Sequence, residues 1–203
     1  MRFLLSRPSI YCLFQRFIGS NRQRRRVLEE WIQPAPDSKI LDIGCGAGNI
    51  VPFLPKSVYY EGYDMNRDYV EYARRKYEQS GRKTKFHNRR VNAMSVEKRN
   101  FFDIVLAYGL LHHLDDEEAA DLFNIGFDVL NRGGIMITHD NAYVEGQSPI
   151  ARYISSKDRG QHVRRPEGYR ALAERSFLHV EVHVAPGRAY LPQTICVLRC
   201  RKP

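Results

Sequence analysis

From residue 39 onward, the apolar positions alternate between two spacings. The run KILDI at 39–43 is almost continuously apolar and of strand length, the pattern of a strand covered on both faces. VYYEGY at 58–63, a short segment at 84–87, FDIVLAY at 102–108 and IMITHD at 135–140 predict four more strands. Between them lie stretches with helical spacing. Asn66 is a suitable N-cap, and Tyr69, Ala73 and Tyr77 recur on one face of a helix that ends near Gly81. Residues 115–130 predict a second helix, opening with Asp115, Asp116, Glu117 and Glu118 where the positive end of the helix dipole lies. NRGG at 131–134 reads as a turn. Alternation of this kind predicts a parallel sheet with helices on both faces. The end departs from it: a short helix at 166–175 precedes strands at 177–184 and 194–200, joined by APGRAYLPQ. That hairpin-like close is expected to put one antiparallel strand in an otherwise parallel sheet.

Ahead of this region, Ile10, Leu13, Phe14 and Phe17 repeat at helical spacing. Arg7 and Arg16 keep the apolar stretch below the ~20 residues of a membrane-spanning helix, and no small-residue cleavage site comes after it as in a signal peptide. The stripe is expected to pack on the domain as a lid; contact with a membrane surface is the less favoured alternative. The 203 residues suit one domain with one core. Its expected parts are a lid at 1–33, a binding core at 39–140, an insertion at 141–170 and a terminal hairpin at 177–200.

The four cysteines, Cys12, Cys45, Cys196 and Cys200, have no metal-site spacing. Four residues along a strand span roughly 13 Å, which keeps Cys196 and Cys200 from bridging. A reducing cytoplasm is expected. The net charge of +9 includes Arg22, Arg24, Arg25 and Arg26 in one cluster. Such charge attracts nucleic acid, anionic membranes or acidic substrates without choosing among them, and a solvated helix face is an equal alternative.

Gly44, Gly46 and Gly48 occupy three of five positions directly after the first strand. In a doubly wound sheet that turn lies at the topological switch point, where ligands bind. Gly44 and Gly46 allow a sharp turn with bare amides against a ligand, and Gly48 allows close approach of the next helix. Asp64 closes the second strand twenty residues beyond Gly44, placed to accept hydrogen bonds from a ribose diol or to cap the next helix. The dinucleotide fingerprint places its third glycine one position later, where Asn49 stands.

The sequence LDIGCGAGN, YEGYD, RVNAM, FDIVLAYGLLHHLDDEE and LNRGGIMITHD resembles the class I S-adenosylmethionine-dependent methyltransferases over residues 39–140. The resemblance implies an α/β fold: a doubly wound, Rossmann-like seven-stranded sheet of order 3-2-1-4-5-7-6, strand 7 antiparallel, with helices on both faces. It implies S-adenosyl-L-methionine as cofactor, leaving S-adenosyl-L-homocysteine. It assigns Gly44, Gly46 and Gly48 to the cofactor turn and Asp42 to support of that turn and of the methionine portion. Asp64 would hold the ribose hydroxyls with Met65 against the adenine, Asn92 and Ala93 would meet the adenine amino group, and Ala107 and Tyr108 would pass under the reacting methyl. One departure is NIVPFLPKS at 49–57, where Pro52 and Pro55 leave room only for a short or kinked helix.

Methyl transfer to a protonated oxygen or nitrogen calls for a base, and His112, His113 and His139, with Asp140 beside the last, are the candidates. The plainer alternative is that one of the adjacent pair faces the core and caps the helix near Asp115. His179, Glu181 and His183 alternate along one strand; a solvated hairpin face explains them, and no metal site is expected. Tyr11 on the lid and Tyr143, Arg152, Tyr153, Arg159 and His162 in the insertion are the candidate acceptor contacts, alongside Gln147, Arg164 and Arg165. The expectation is O- or N-methylation of a small-molecule acceptor bearing an acidic or phosphorylated part. An RNA methyltransferase is disfavoured, because AYGLLH replaces the Asn/Asp-Pro-Pro-aromatic run after strand 4, and no cysteine stands nearby for attack on a pyrimidine. A non-catalytic cofactor-binding protein is the remaining alternative, and a nicotinamide oxidoreductase is disfavoured by the glycine spacing.

Overall fold

Seven strands, β1 (Lys39–Ile43), β2 (Tyr59–Asp64), β3 (Lys83–Asn88), β4 (Phe102–Tyr108), β5 (Leu130–Asn141), β6 (His179–Pro186) and β7 (Thr194–Arg201), form one sheet in the order β3-β2-β1-β4-β5-β7-β6. β1, β2, β3, β4 and β5 pair in parallel, whereas β7 runs antiparallel to both β5 and β6. The one reversed strand is what the alternating pattern and the terminal hairpin predict, and the order is the one the family resemblance implies. The computed structural model describes residues 20–92, 96–157, 160–186 and 192–203. The apolar stripe at 10–17 with Tyr11, together with Ala93, Arg159 and the centre of the terminal turn, lies outside the described residues.

Helices α1 (Ser20–Val27), α2 (Arg67–Tyr77), α3 (Asp116–Val129), α4 (Pro149–Ser156) and α5 (Pro166–Ala173) flank the sheet. α1 continues into one wide turn at Leu28–Ile32, which Gln33 ends in a left-handed conformation with its N–H on the Leu28 carbonyl. On one face, α1 and α2 cover Ile40, Tyr60, Ile104, Leu106 and Ile137. On the other, α3 and α5 cover Leu41, Val105, Ala107 and Met136. The near-continuous apolar runs of β1 and β4 result from this covering of both faces.

Differences from the expected elements have local causes. NRGG belongs to β5 rather than to a separate turn: the β4–β5 register shifts between Phe102 and Ile104, and Gly133 takes a positive φ of 76° within the irregularity. After the glycine turn the chain makes a single 3₁₀ turn, Val51–Phe53, as Pro52 and Pro55 dictate. The insertion contains α4, an element beyond those the periodicity predicts; Pro149 at its start and a short apolar face account for it. Cys45, Cys196 and Cys200 are buried and unbridged. No helix among the described residues is long and apolar enough to cross a membrane.

Candidate cofactor and acceptor site

The turn after β1 is held by backbone donors. Gly44 and Cys45 both donate to the Tyr63 carbonyl, at 2.8 and 3.0 Å. Gly46 N–H donates to Asp64 Oδ2 at 2.8 Å, and Asn66 N–H donates to Oδ1 at 2.7 Å. Asp64 therefore ties the turn to the end of β2, and the helix cap is supplied instead by Asn66, whose side chain accepts from Tyr69. Gly44, Gly46 and Gly48 all have positive φ, at 78°, 54° and 68°, which side chains disfavour. They face different things. A Cβ on Gly44 would meet Leu110 at 3.2 Å, and one on Gly48 would meet Tyr77 at 3.0 Å and Phe86 at 3.1 Å. A Cβ on Gly46 would meet nothing within 4 Å.

Beside this turn opens a cavity of about 910 Å³ whose walls include Gly44, Asp64, Met65, Asn92, Leu110 and His113. Its size suits a nucleoside-sized ligand. Met65, on the cavity wall, is 70% exposed. The Asn88 amide donates to the carbonyls of Asp64 and Met65 at 3.1 and 2.9 Å, locking the rim. Asn88, Tyr63 and Leu110 were missed by sequence reasoning; only Asn88 left a signal, a polar residue ending β3 beside the end of β2.

On the other side of β1 lies a second polar group. Asp42 is buried on the face covered by α1 and α2; its Oδ2 accepts from Tyr60 at 2.6 Å, and its Oδ1 has no hydrogen-bond partner among the described residues. Burial raises its pKa to about 7, against the lowering effects of the Tyr60 hydroxyl and the Arg24 charge. Arg24, from α1, is buried and lies 5.7 Å over the Tyr108 ring. Tyr108 in turn stacks on His139, with centroids 4.1 Å apart and planes at 8°. Burial lowers the His139 pKa to about 4, leaving a neutral imidazole at neutral pH despite the adjacent Asp140. Sequence reasoning placed Arg24 in a basic cluster without a site role.

The adjacent histidines divide. His112 is buried, and its Nδ1 lies 2.8 Å from Asp140 Oδ1, which also accepts the His112 backbone N–H at 3.2 Å. His113 is exposed and lines the cavity, its ring 4.2 Å from that of His112. Helix α3 is capped by Asp115, in a capping box with Glu118, and not by a histidine. The three candidate bases thus have different surroundings: His113 faces the glycine-turn cavity, His112 pairs with Asp140, and His139 stacks on Tyr108. Ala107 is fully buried in the core of the α3 face and is absent from the cavity wall.

The insertion is used more for structure than its composition suggests. The Arg164 guanidinium donates to the carbonyls of Leu111, His162 and Leu114 and to Asp116, clasping the turn that carries both histidines. His162 N–H donates to the His112 carbonyl at 3.0 Å. Gln147 donates to Ala142 and Thr194. Arg152 lies 5.3 Å over Tyr143, whereas Tyr153 is exposed, with Lys157 over its ring. Glu181 accepts from Arg199, and His183 packs on Trp31. No group of three or more potential metal ligands occurs among the described residues.

A doubly wound sheet with its reversed seventh strand, a glycine turn at the switch point and an acid closing β2 defines a methyltransferase-type α/β protein. Residues 40–134 match the family described as a methyltransferase domain. The chain is similar to an uncharacterised protein of Haemophilus influenzae, 31% identical over 107 residues. That match covers 51% of this chain and 43% of the relative, so the chain spans less than half of that protein's length. Among solved structures, it is similar to Haemonchus contortus phosphoethanolamine N-methyltransferase 2 in complex with phosphomonomethylethanolamine and S-adenosylhomocysteine. There the TM-score is 0.72 at 16% identity, over 90% of this chain and 52% of that one. It is also similar to Streptomyces coelicolor geranyl diphosphate C-methyltransferase in complex with Mg²⁺, geranyl diphosphate and S-adenosyl-L-homocysteine. In that case the TM-score is 0.69 at 13% identity, over 90% and 80% of the two chains.

Proposed function

We propose that the protein transfers a methyl group from S-adenosylmethionine to a small-molecule acceptor. The observation that carries this reading is the glycine turn at Gly44 and the acid Asp64 lining one cavity together with Met65 and Asn92, with open space beside the neighbouring Gly46. The residues fit the cofactor. Each Asp64 oxygen accepts one backbone N–H and keeps a lone pair for a ribose hydroxyl. Met65 offers an apolar surface to the adenine and Asn92 a polar group to its amino edge, while buried Asp42 supports the turn from within β1 and would reach the methionine portion through water. When bound, the cofactor supplies a carbon already activated for displacement by its sulfonium.

The chain's own contribution is then to hold, orient and exclude water. For an acceptor that must lose a proton from oxygen or nitrogen, His113, which lines the cavity, is the candidate base. Behind it, His112 and Asp140 lie together, Nδ1 2.8 Å from Oδ1. The small-molecule reading also draws support from the two structural neighbours, whose bound molecules are small and phosphorylated. Buried, unbridged Cys45, Cys196 and Cys200 support the expected reducing compartment.

Calorimetric titration with S-adenosylmethionine tests the cofactor. Micromolar binding is expected, weakened roughly 30-fold in Asp64→Ala, or about 2 kcal/mol for hydrogen bonds to a charged group. Absence of binding by folded wild-type protein would overturn the reading.

A further inference from the structure

We propose that β6 is the edge along which two copies of this chain pair, antiparallel and about a two-fold axis at Val182, joining their sheets in a homodimer. This interaction surface is independent of the methyltransferase reading.

The two edges of the sheet differ in chemistry. Strand β3 closes one side and carries Lys83 and Lys85, both exposed. Charged side chains, lysine above all, keep an edge strand from accepting another strand. On the other side, β6 pairs only with β7 among the described residues, so its outer N–H and C=O groups face away from the sheet. It has no lysine or arginine, and its one acid, Glu181, accepts from Arg199 of β7. Its valines alternate to the α5 face. Val180 and Val182 pack on the core there, whereas Val184 is 47% exposed. Leu178, just ahead of the strand, is 84% exposed. An apolar edge without charged guards is a template for one more strand.

The sequence of β6 selects a second copy of itself. In antiparallel pairing about Val182, Val180 stands opposite Val184 of the second copy, and Glu181 opposite His183 of the second copy. Directly opposite residues lie roughly 5 Å apart at Cβ, where apolar and opposite-charge pairs stabilise and like charges do not. The valines would carry the α5-side core across the junction, and each acid would meet an imidazole. Centring the pair on Glu181 or on His183 would instead set that residue against its own copy. Within one chain His183 lacks such a partner. Its Nε2 is buried without a hydrogen bond among the described residues, 3.6 Å from Glu181 Oε2. Its ring packs on Trp31, with centroids 4.0 Å apart, which fixes it on the face where the second Glu181 would arrive. Two-fold symmetry closes the contact, so assembly stops at two copies. One strand of eight residues makes a small interface, with a dissociation constant on the order of 10 µM.

Sedimentation equilibrium of the full chain over about 1–500 µM, in about 150 mM salt to screen the positive charge of each copy, reads the association. Wild type is expected to pass from monomer to dimer and no further. Val184→Lys, at an exposed position, should raise the dissociation constant by about tenfold or more, and Lys85→Glu on the opposite edge should leave it unchanged within about twofold. His183→Glu, which sets two acids opposite each other, should be monomeric, and Glu181→Lys should pair weakly with itself. Mixed in equal amounts, these two variants should form a heterodimer, because every cross-strand pair then joins an acid to a base. Urea unfolding checks that each variant is folded. A wild type that stays monomeric throughout, assembly beyond two copies, or a dimer indifferent to Val184→Lys overturns the proposal. Should Val184→Lys fail to fold, the mixing experiment decides, and absence of the heterodimer overturns it.

Discussion

Asp42→Asn is expected to make the folded chain more stable than wild type at pH 8.5, with the advantage shrinking to about 1 kcal/mol near pH 4.5, while weakening cofactor binding. In wild type, burial raises the Asp42 carboxyl from its ordinary value of 3.8 to about 7. The native state thus holds this proton more tightly than the unfolded chain does. Stability is lost as pH climbs from the unfolded value through about 7, and above that the full cost is present. A rise of that size corresponds to about 4 kcal/mol as an order of magnitude. Asparagine resembles the protonated acid, keeps an oxygen for the Tyr60 hydroxyl, and carries no charge to desolvate. His139 works in the opposite direction. Burial lowers it to about 4, so the unfolded chain binds its proton first and stability falls as pH drops below about 6.5.

Across pH 4.5–6.5 the two effects oppose each other in wild type, and Asp42→Asn should expose the His139 slope, with stability rising with pH. Urea unfolding at pH 4.5, 6.5 and 8.5 measures this. A variant less stable than wild type at pH 8.5 would mean that Arg24 and Tyr60 hold Asp42 as a stabilising anion. The accompanying loss of S-adenosylmethionine affinity would identify Asp42 as a group kept for binding at the expense of stability, as strained or unsatisfied groups at functional sites often are.

Two neighbouring glycines should separate binding from folding. Gly46→Val is expected to fold, with a cost of about 1–2 kcal/mol for a side chain at positive φ, because nothing lies within 4 Å of its Cβ. Its cofactor affinity should fall about a thousandfold, near 4 kcal/mol, because the new methyls occupy the space a ligand needs beside the turn. Gly48→Ala should do the reverse. Its Cβ would meet the Tyr77 and Phe86 rings at 3.0–3.2 Å with φ at 68°, so a loss of about 2–4 kcal/mol is expected from overpacking and backbone strain together. Whatever folded Gly48→Ala protein remains should bind nearly as wild type. Calorimetry and urea unfolding on both variants read the two effects. Unchanged binding by folded Gly46→Val would remove the glycine turn from the cofactor site.

Much of this architecture is legible along the chain. Strand β4 at Phe102–Tyr108 coincides with the predicted run, and α2 and α3 begin beside the expected polar residues. Local chemistry dictates these: apolar runs buried on both faces have no alternative to a covered parallel strand, and Asn66 and Asp115 satisfy helix donors that would otherwise be lost. Less legible are features that depend on a distant partner. NRGG resembles a turn in isolation, yet pairing with β4 draws it into β5. Arg164 and Gln147 look like acceptor contacts because sequence shows their charge or polarity but not the carbonyls they meet, at Leu111, Leu114 and Ala142.

The candidate site divides along the same line. Gly44, Gly46 and Asp64 are local to one turn and the adjacent strand end, so spacing alone puts them together. Their distinct tasks appear only in three dimensions, where Gly48 packs on Tyr77 and Phe86 while Gly46 faces open space. The two adjacent histidines are indistinguishable in sequence; the 3₁₀ turn at Leu111–His113 sends one to Asp140, 28 residues away, and the other to the cavity. Arg24 is one of four similar arginines until α1 lays it over Tyr108. The strands, helix starts and glycine turn are thus determined by short-range periodicity and backbone chemistry, while the strand order follows from the family resemblance. Which polar side chains are desolvated, paired or turned toward a ligand is decided by tertiary packing, because burial and partner distance depend on residues far apart in the chain.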